Sequence, residues 1–358
     1  MNDILEHFHA LSDTHSLGGA AQTSGERLFG RNANYRIATD RGDYFVKKLQ
    51  FSDGGTKIQN CLAYDAFVAR HPAVGLPLSP RILAVNAELG IIVQDFLPDA
   101  ENGSTLMVEE RFEPAVAADI GRSIAAVHSR PTFGVPDRQD RPTPAPTTTL
   151  LAGIPHRHLR HLTGGELQAY GLLQADAPLC DALTDLMRAS NRAPRTPVHG
   201  DLRADQIMVD DATWIVDWEE FGTGDPARDT GSFLGEWLYR AVLDIPTSRG
   251  GGTAMARAEG AADVVRRGHE KVRLLAPVAR AFWTAYTAGR TADGSPVDDE
   301  FIARTGAFAG WHLLDRLVAG AATNAVLPAM HRAAAGVGRS AVLDPDGVHR
   351  FLGLEDIR

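Results

Sequence analysis

His199-Gly200-Asp201-Leu202-Arg203-Ala204-Asp205-Gln206 leads into Ile207-Met208-Val209, then Asp210-Asp211-Ala212-Thr213, then Trp214-Ile215-Val216-Asp217-Trp218-Glu219. Two short apolar runs flank four turn-type residues, so the runs pair as a hairpin. In a hairpin the start of the first strand lies beside the end of the second. Asp201 and Gln206 precede the first strand and Asp217 follows the second, so three oxygen-bearing side chains converge at one end. Carboxylate and amide oxygens suit a hard cation such as Mg²⁺, which keeps waters and recruits phosphates. A further carboxylate outside the metal shell orients a hydroxyl nucleophile. The chemistry this predicts is phosphoryl transfer. For any single Asp, a hairpin with solvated acidic ends is the plain alternative.

The rest of the chain frames this segment. Tyr35–Thr39 and Tyr44–Leu49 flank the turn signal Asp40-Arg41-Gly42-Asp43 and read as an antiparallel hairpin. A short amphipathic helix is expected over 3–12, a helix over 56–70, and a second strand pair at Arg81–Val85 and Gly90–Gln94. These make a small α+β unit ending near residue 95. Beyond Pro98 the pattern is helical: 113–129 carries Ala117, Ile120, Ile124 and Val127 at helical spacing. Residues 130–155 hold six prolines and read as an irregular surface loop. Helical patterns return at 165–190 and run from the hairpin to about 335, broken at Ser248-Arg249-Gly250-Gly251-Gly252. No internal repeat is present.

Composition narrows the function. The 358 residues suggest about two domains and can bury a core without disulfides. Thirty-six Lys and Arg against 45 Asp and Glu leave a net charge of −9. That balance argues against a nucleic-acid partner, which needs a basic face to displace counterions, and favours a cationic one. Two cysteines, Cys61 and Cys180, are too few for a disulfide framework or a four-thiolate metal site. The opening Met1–His7 lacks a basic segment followed by an apolar run, so no secretory signal is expected. No uninterrupted apolar stretch reaches about 18 residues, so no membrane span is expected, and a cytoplasmic location follows.

The segment resembles the catalytic and metal loops of the aminoglycoside phosphotransferase and choline kinase group, similar in fold to protein kinases. That group reads H-G-D-x-x-x-x-N, then I-D-W-E, then G-D-P and a later Asp. This chain supplies His199-Gly200-Asp201, Val216-Asp217-Trp218-Glu219, Gly224-Asp225-Pro226 and Asp229. The resemblance implies an α+β, bilobal protein-kinase-like fold: a small β-rich nucleotide-binding lobe over 1–95 and a larger, mainly helical catalytic and acceptor-binding lobe over 96–358. It implies that Asp201 is the catalytic Asp and Asp217 the principal Mg²⁺ ligand. His199 and Asp229 would brace the catalytic loop. Gln206 stands where the group has Asn; its amide oxygen serves the metal from a side chain one methylene longer. Arg203 stands where Ser/Thr protein kinases have Lys, and would stabilise charge on the transferred phosphate. An exposed loop Arg is the alternative.

The resemblance extends to the N-terminal unit. Tyr44-Phe45-Val46-Lys47 is similar to the kinase V-A-I-K strand, which assigns Lys47 to the α- and β-phosphates of ATP or GTP. Lys48 then points to the opposite face. The group pairs this Lys with a Glu of the following helix. No Glu lies between Phe51 and Pro80, so Asp65 is the expected substitute. Arg31, Asn32 and Asn34, within Gly30–Asn34, occupy the place of the phosphate-covering loop. Gln94 and Phe96 lie where the lobes meet, and the backbone there would read an adenine edge.

The acceptor is open at this level. Gly30-Arg31-Asn32, Phe45–Leu49, Arg203–Gln206, Asp217–Phe221 and Gly235-Glu236-Trp237-Leu238 look like the phosphotransferases of class V lanthipeptide and thioamitide biosynthesis. That resemblance implies Ser or Thr phosphorylation of a precursor peptide, with phosphate elimination by a partner lyase. The alternatives are a small cationic hydroxyl-bearing acceptor such as an aminoglycoside, or a nucleotide-binding pseudokinase scaffold. His156, His158 and His161 sit beside Arg157 and Arg160 and are expected to form a solvated basic turn rather than a metal site. Trp237, Trp283 and Trp311 are expected in the core.

Overall fold

A computed structural model describes residues 2–28, 33–49, 54–72, 75–137, 145–249 and 260–357. Arg31 and Asn32 of the expected phosphate-covering loop lie outside the described residues, as do Gly250, Gly251 and Gly252 of the expected break.

The N-terminal lobe sets α1 (Asn2–His15) on one face of a five-stranded antiparallel sheet. Its strands are β1 (Ala20–Leu28), β2 (Ala33–Thr39), β3 (Gly42–Lys48), β4 (Ile82–Asn86) and β5 (Ile91–Asp95), in the order β1-β2-β3-β5-β4. The expected hairpin forms between β2 and β3, with Asn34 opposite Lys47 and Ile37 opposite Tyr44. Alternation along the strands sorts the two faces. Ile37, Val46, Ile91 and Val93 pack with Ile4 and Phe8 beneath α1. Ile92 packs on the other face with Leu49, Ile58 and Cys61, where α2 (Gly54–Arg70) lies. Lys47 is the register partner of Ile92, so it faces the α2 side.

The C-terminal lobe begins with β6 (Glu101–Asn102), α3 (Gly103–Val108) and α4 (Pro114–His128). Short α5 (Thr148–Ala152) and α6 (His156–Leu159) precede α7 (Gly164–Gln174) and α8 (Ala177–Arg192). Then come β7 (Thr196–Val198), β8 (Ile207–Val209), β9 (Thr213–Ile215) and β10 (Gly222–Gly224). The lobe ends with α9 (Ala227–Asp244), α10 (Ala261–Ala292), α11 (Asp299–Ala321), α12 (Ala329–Leu343) and α13 (Pro345–Leu352). Helix starts follow side-chain chemistry: Thr163 and Glu166 form a reciprocal cap on α7, and Asp298 caps α11. The β8–β9 hairpin has the expected register, Ile207 opposite Ile215 and Val209 opposite Thr213. Helix continues through Leu352, beyond the expected end near 335.

The core is the helical lobe's interior, around Phe233, Trp237, Phe282, Trp283 and Tyr286. Close approach of α9 and α11 depends on missing side chains. A Cβ on Gly231 would sit 2.5 Å from Phe308 Cβ and 2.6 Å from the Thr305 carbonyl oxygen. His156, His158 and His161 are exposed, and among the described residues no group of three His, Cys, Asp or Glu side chains is placed to hold a metal. Among those residues no helix is long and apolar enough to cross a membrane.

Candidate active site

The loop after β7 carries Asp201, and its shape is set from below. Gly200 adopts φ 86°, a left-handed conformation that glycine enters without strain. Asp229, in the first turn of α9, accepts the backbone N–H groups of His199 at 2.7 Å and Gly200 at 2.8 Å. His128 Nε2 lies 3.1 Å from the same carboxylate, and its Nδ1 is 2.9 Å from the Tyr286 hydroxyl. Burial would raise the Asp229 carboxyl, but the hydrogen bond and charge of His128 hold it below its ordinary range. His199 ties the two loops together. Its Nδ1 accepts the Asp201 N–H at 3.2 Å, which leaves Nε2 to donate to the Val216 carbonyl at 3.0 Å.

Asp217 follows β9 at φ 67°, ψ 48°. A non-glycine residue in this region is uncommon and carries strain that marks functional sites. It opens a single 3₁₀ turn, Trp218–Glu220, against which α2 docks. Tyr64 stacks on Trp218 with ring centroids 3.5 Å apart and planes 5° apart. Asn60 donates to the Glu219 carbonyl at 2.7 Å. Lys47 Nζ reaches both Asp217 Oδ1 and Glu219 Oε2, and Lys57 Nζ lies 3.1 Å from Glu219 Oε1. Burial opposes the Lys47 charge, but the two carboxylates raise its pKa well above the ordinary value.

This arrangement corrects one expectation. Asp65 is exposed, and the carboxylate that joins Asp217 on Lys47 is Glu219. The reason is helical phase. Lys57, Asn60 and Tyr64 recur on the face of α2 that meets the 3₁₀ turn, and Asp65 is rotated about 100° from Tyr64. The sequence shows a Glu two residues after Asp217, but no local pattern ties it to Lys47.

Gln206 and Arg203 lie in the segment between Asp201 and the β8–β9 hairpin. Gln206 is buried in a 3₁₀ turn, and its backbone carbonyl accepts the Val216 N–H at 2.9 Å, beside Asp217. Arg203 is 7% exposed, so the exposed-loop alternative fails. Its guanidinium lies 3.1 Å from Asp201 and 3.2 Å from Asp205. Burial raises the Asp205 carboxyl against the opposing pull of Arg203. Asn34 sits across the strands from Lys47. Gln94 donates to the Pro80 carbonyl at 3.4 Å, and the Arg36 guanidinium stands 5.1 Å over the Phe96 ring.

On its other side Asp201 faces a partly open cavity of ≈ 50 Å³. Arg203, Arg228, Ser232, Trp311 and His312 share its lining. Trp311 is thus a wall of this cavity as well as a core residue. Behind it Glu236 is largely buried, with His312 Nε2 at 2.9 Å. Burial would raise Glu236, but His312, Arg316 and Arg203 lower it to about 2. The helical wall had no legible signal in sequence, because its residues come from α9 and α11, far along the chain from Asp201 and from each other.

A model of the phosphotransferase enzyme family matches residues 30–275. The chain belongs to the phosphotransferase enzyme family. It is a kinase, moving a phosphoryl group to a hydroxyl acceptor. No curated protein matches the sequence. The fold of this phosphotransferase is similar to that of a candidate fructosamine-3-kinase from Haemophilus somnus 129PT, at TM-score 0.52 and 14% identity over 93% of this chain and 95% of that one. It is similar also to the macrolide 2′-phosphotransferase MphH from Brachybacterium faecium, at TM-score 0.51 and 15% identity over 96% and 99% of the two chains. A candidate aminoglycoside phosphotransferase from Ralstonia eutropha JMP134 gives TM-score 0.50 and 18% identity over 97% and 98%. At these identities the likeness shows the fold, and the phosphotransferase has the expected bilobal α+β architecture.

Proposed function

We propose that this phosphotransferase moves the γ-phosphoryl group of ATP or GTP, as its Mg²⁺ complex, to a hydroxyl held against Asp201. The observation that carries this is the convergence of Lys47, Asp217 and Glu219 at the end of the hairpin whose other side carries Asp201. The donor set suits the metal: Asp217 and Gln206 offer hard oxygens, and Asp217 is held in the left-handed region at the hairpin exit. Mg²⁺ bound there would neutralise charge on the phosphate oxygens. Lys47 holds the α- and β-phosphates once it releases Asp217, and Glu219 keeps it in place. Asp201 accepts the hydroxyl proton, and Arg203 offsets charge on the group in transit. Gln94 and Phe96 line the base side, with Arg31, Asn32 and Asn34 over the phosphates. A donor of this kind is met in the cytoplasm, which supports that location.

For the acceptor, the proposal is a Ser or Thr side chain of a precursor peptide, phosphorylated for elimination by a partner lyase. The cavity beside Asp201 bears Arg203 and Arg228, a poor match for a polycationic aminoglycoside. The test incubates the protein with ATP, Mg²⁺ and either serine peptides or aminoglycosides, and reads added phosphate by mass spectrometry. Asp201→Asn should cut transfer by about 10²–10⁴-fold and leave nucleotide affinity near wild type. Undiminished transfer in that variant would remove Asp201 from its role. Nucleotide binding with no transfer to any acceptor would favour a pseudokinase scaffold.

A further inference from the structure

We infer that the cavity beside Asp201 contains an oxyanion subsite built on Arg228, so that the acceptor carries a carboxylate or phosphate close to its reacting hydroxyl. The inference rests on the kinase reading above and names the class of acceptor.

Arg228 stands outside the ion pairs around the cavity. Asp201 and Asp205 are taken by Arg203, Asp315 by Arg316, and Glu236 by His312. Among the described residues no carboxylate lies within ion-pair distance of the Arg228 guanidinium, and its Nε is buried without a hydrogen-bond partner. The Arg203 Nε, in the same wall, is likewise buried and unpartnered. An arginine cannot shed its proton, so a buried Nε–H without a partner calls for an acceptor, and an anion serves it best.

The position of Arg228 strengthens this. It is the second residue of α9, where the helix dipole opposes a cation by about 0.3–1 kcal/mol. A local rule broken without compensation inside the protein points to function. The placement is also rigid. The Arg228 N–H donates to the Asp225 carbonyl at 3.1 Å, and the next residue, Asp229, clamps the backbone of His199 and Gly200. Arg228 and Asp201 are therefore held in one frame. A planar guanidinium matches a carboxylate or phosphate through two parallel hydrogen bonds. The Ser232 hydroxyl, one turn further along α9, adds a donor to the same wall.

The test saturates the full chain with Mg²⁺ and the non-hydrolysable analogue of ATP. It then adds sodium sulfate or sodium acetate, against sodium chloride at equal ionic strength, and follows the arginine Nε–H resonances. The Arg228 resonance is the one that vanishes in Arg228→Gln. It should move saturably with the oxyanions and stay still with chloride, while the analogue binds Arg228→Gln within about twofold of wild type. Sulfate and acetate separate a phosphate-bearing acceptor from a carboxylate-bearing one. A resonance blind to both overturns the subsite. So does an affinity for the analogue reduced about tenfold in Arg228→Gln, which would assign Arg228 to the donor phosphates. Arg228→Lys guards against a folding defect: sulfate should raise its melting temperature more than that of Arg228→Gln, where only the general salting-out stabilisation remains. The kinase reading fails separately, if wild type does not bind the analogue; the oxyanion titration is then still read without it.

Discussion

Glu219 stands between two ammonium groups, Lys47 on the strand side and Lys57 on the helix side. Its loss leaves Lys47 with Asp217 alone, and the lysine then competes for the carboxylate that would hold the metal. Glu219→Gln should therefore weaken Mg²⁺-nucleotide binding, and it should lower stability by roughly 1–3 kcal/mol, as for a buried donor losing one partner. Urea unfolding and nucleotide titration read the two effects, and a variant with unchanged nucleotide affinity would refute the positioning role. Glu236 gives a pH prediction. Its folded pKa of about 2 lies below the ordinary 4.5, so it contributes stability above pH ~4.5 that is lost as pH falls toward 2. In Glu236→Gln that acid limb should flatten in a plot of melting temperature against pH. At this scale sequence and structure part company over Asp65. A missing helix Glu was legible, but its replacement was not, because the choice depends on which carboxylate the docked turn brings to Lys47.

Elements carry the site into place. Helix α2 meets the Trp218–Glu220 turn through Tyr64, which stacks on Trp218 and meets Phe221 edge-on at 5.2 Å. Tyr64→Ala should cost about 3–5 kcal/mol, the range for a large buried aromatic, and should raise KM for the nucleotide because the turn holds Glu219. Helix α9 carries both Asp229 and Arg228, and it lies on α11 where only glycine fits. Gly231→Ala inserts a methyl against the Thr305 carbonyl and Phe308, which should destabilise by about 1–3 kcal/mol. A melting temperature equal to wild type would show that the helices separate freely. Both central hairpins were legible, since turn residues between alternating apolar runs leave little choice of register. Strand β1 was not, because Ala20–Leu28 has no apolar alternation; it is an edge strand, and its register with β2 shifts between Ala20 and Gly25.

Across the whole molecule the two lobes meet through charges. Lys47 and Lys57 come from the sheet lobe, and Asp217, Glu219 and Glu220 from the helical lobe. A ligand bound between the lobes binds the folded chain alone, so Mg²⁺-nucleotide at about 100 times its Kd should add about 2.7 kcal/mol of stability. Asp217→Asn should remove most of that gain in a thermal-shift measurement, and a gain kept in full would displace Asp217 as the metal ligand.

The sequence by itself determined the hairpin that joins Asp201, Gln206 and Asp217, the strand that presents Lys47, and the family. The hairpin and the strand rest on period and turn chemistry, which act over a few residues, and the family on a resemblance of motifs. Tertiary structure alone decided that Glu219 holds Lys47, that Arg203 is buried, and that Arg228 lines the cavity beside Asp201. Lys47 and its Asp217 partner are 170 residues apart in the chain. At such separations the pairing is set by how packed helices and sheet dock, and local pattern carries no record of it.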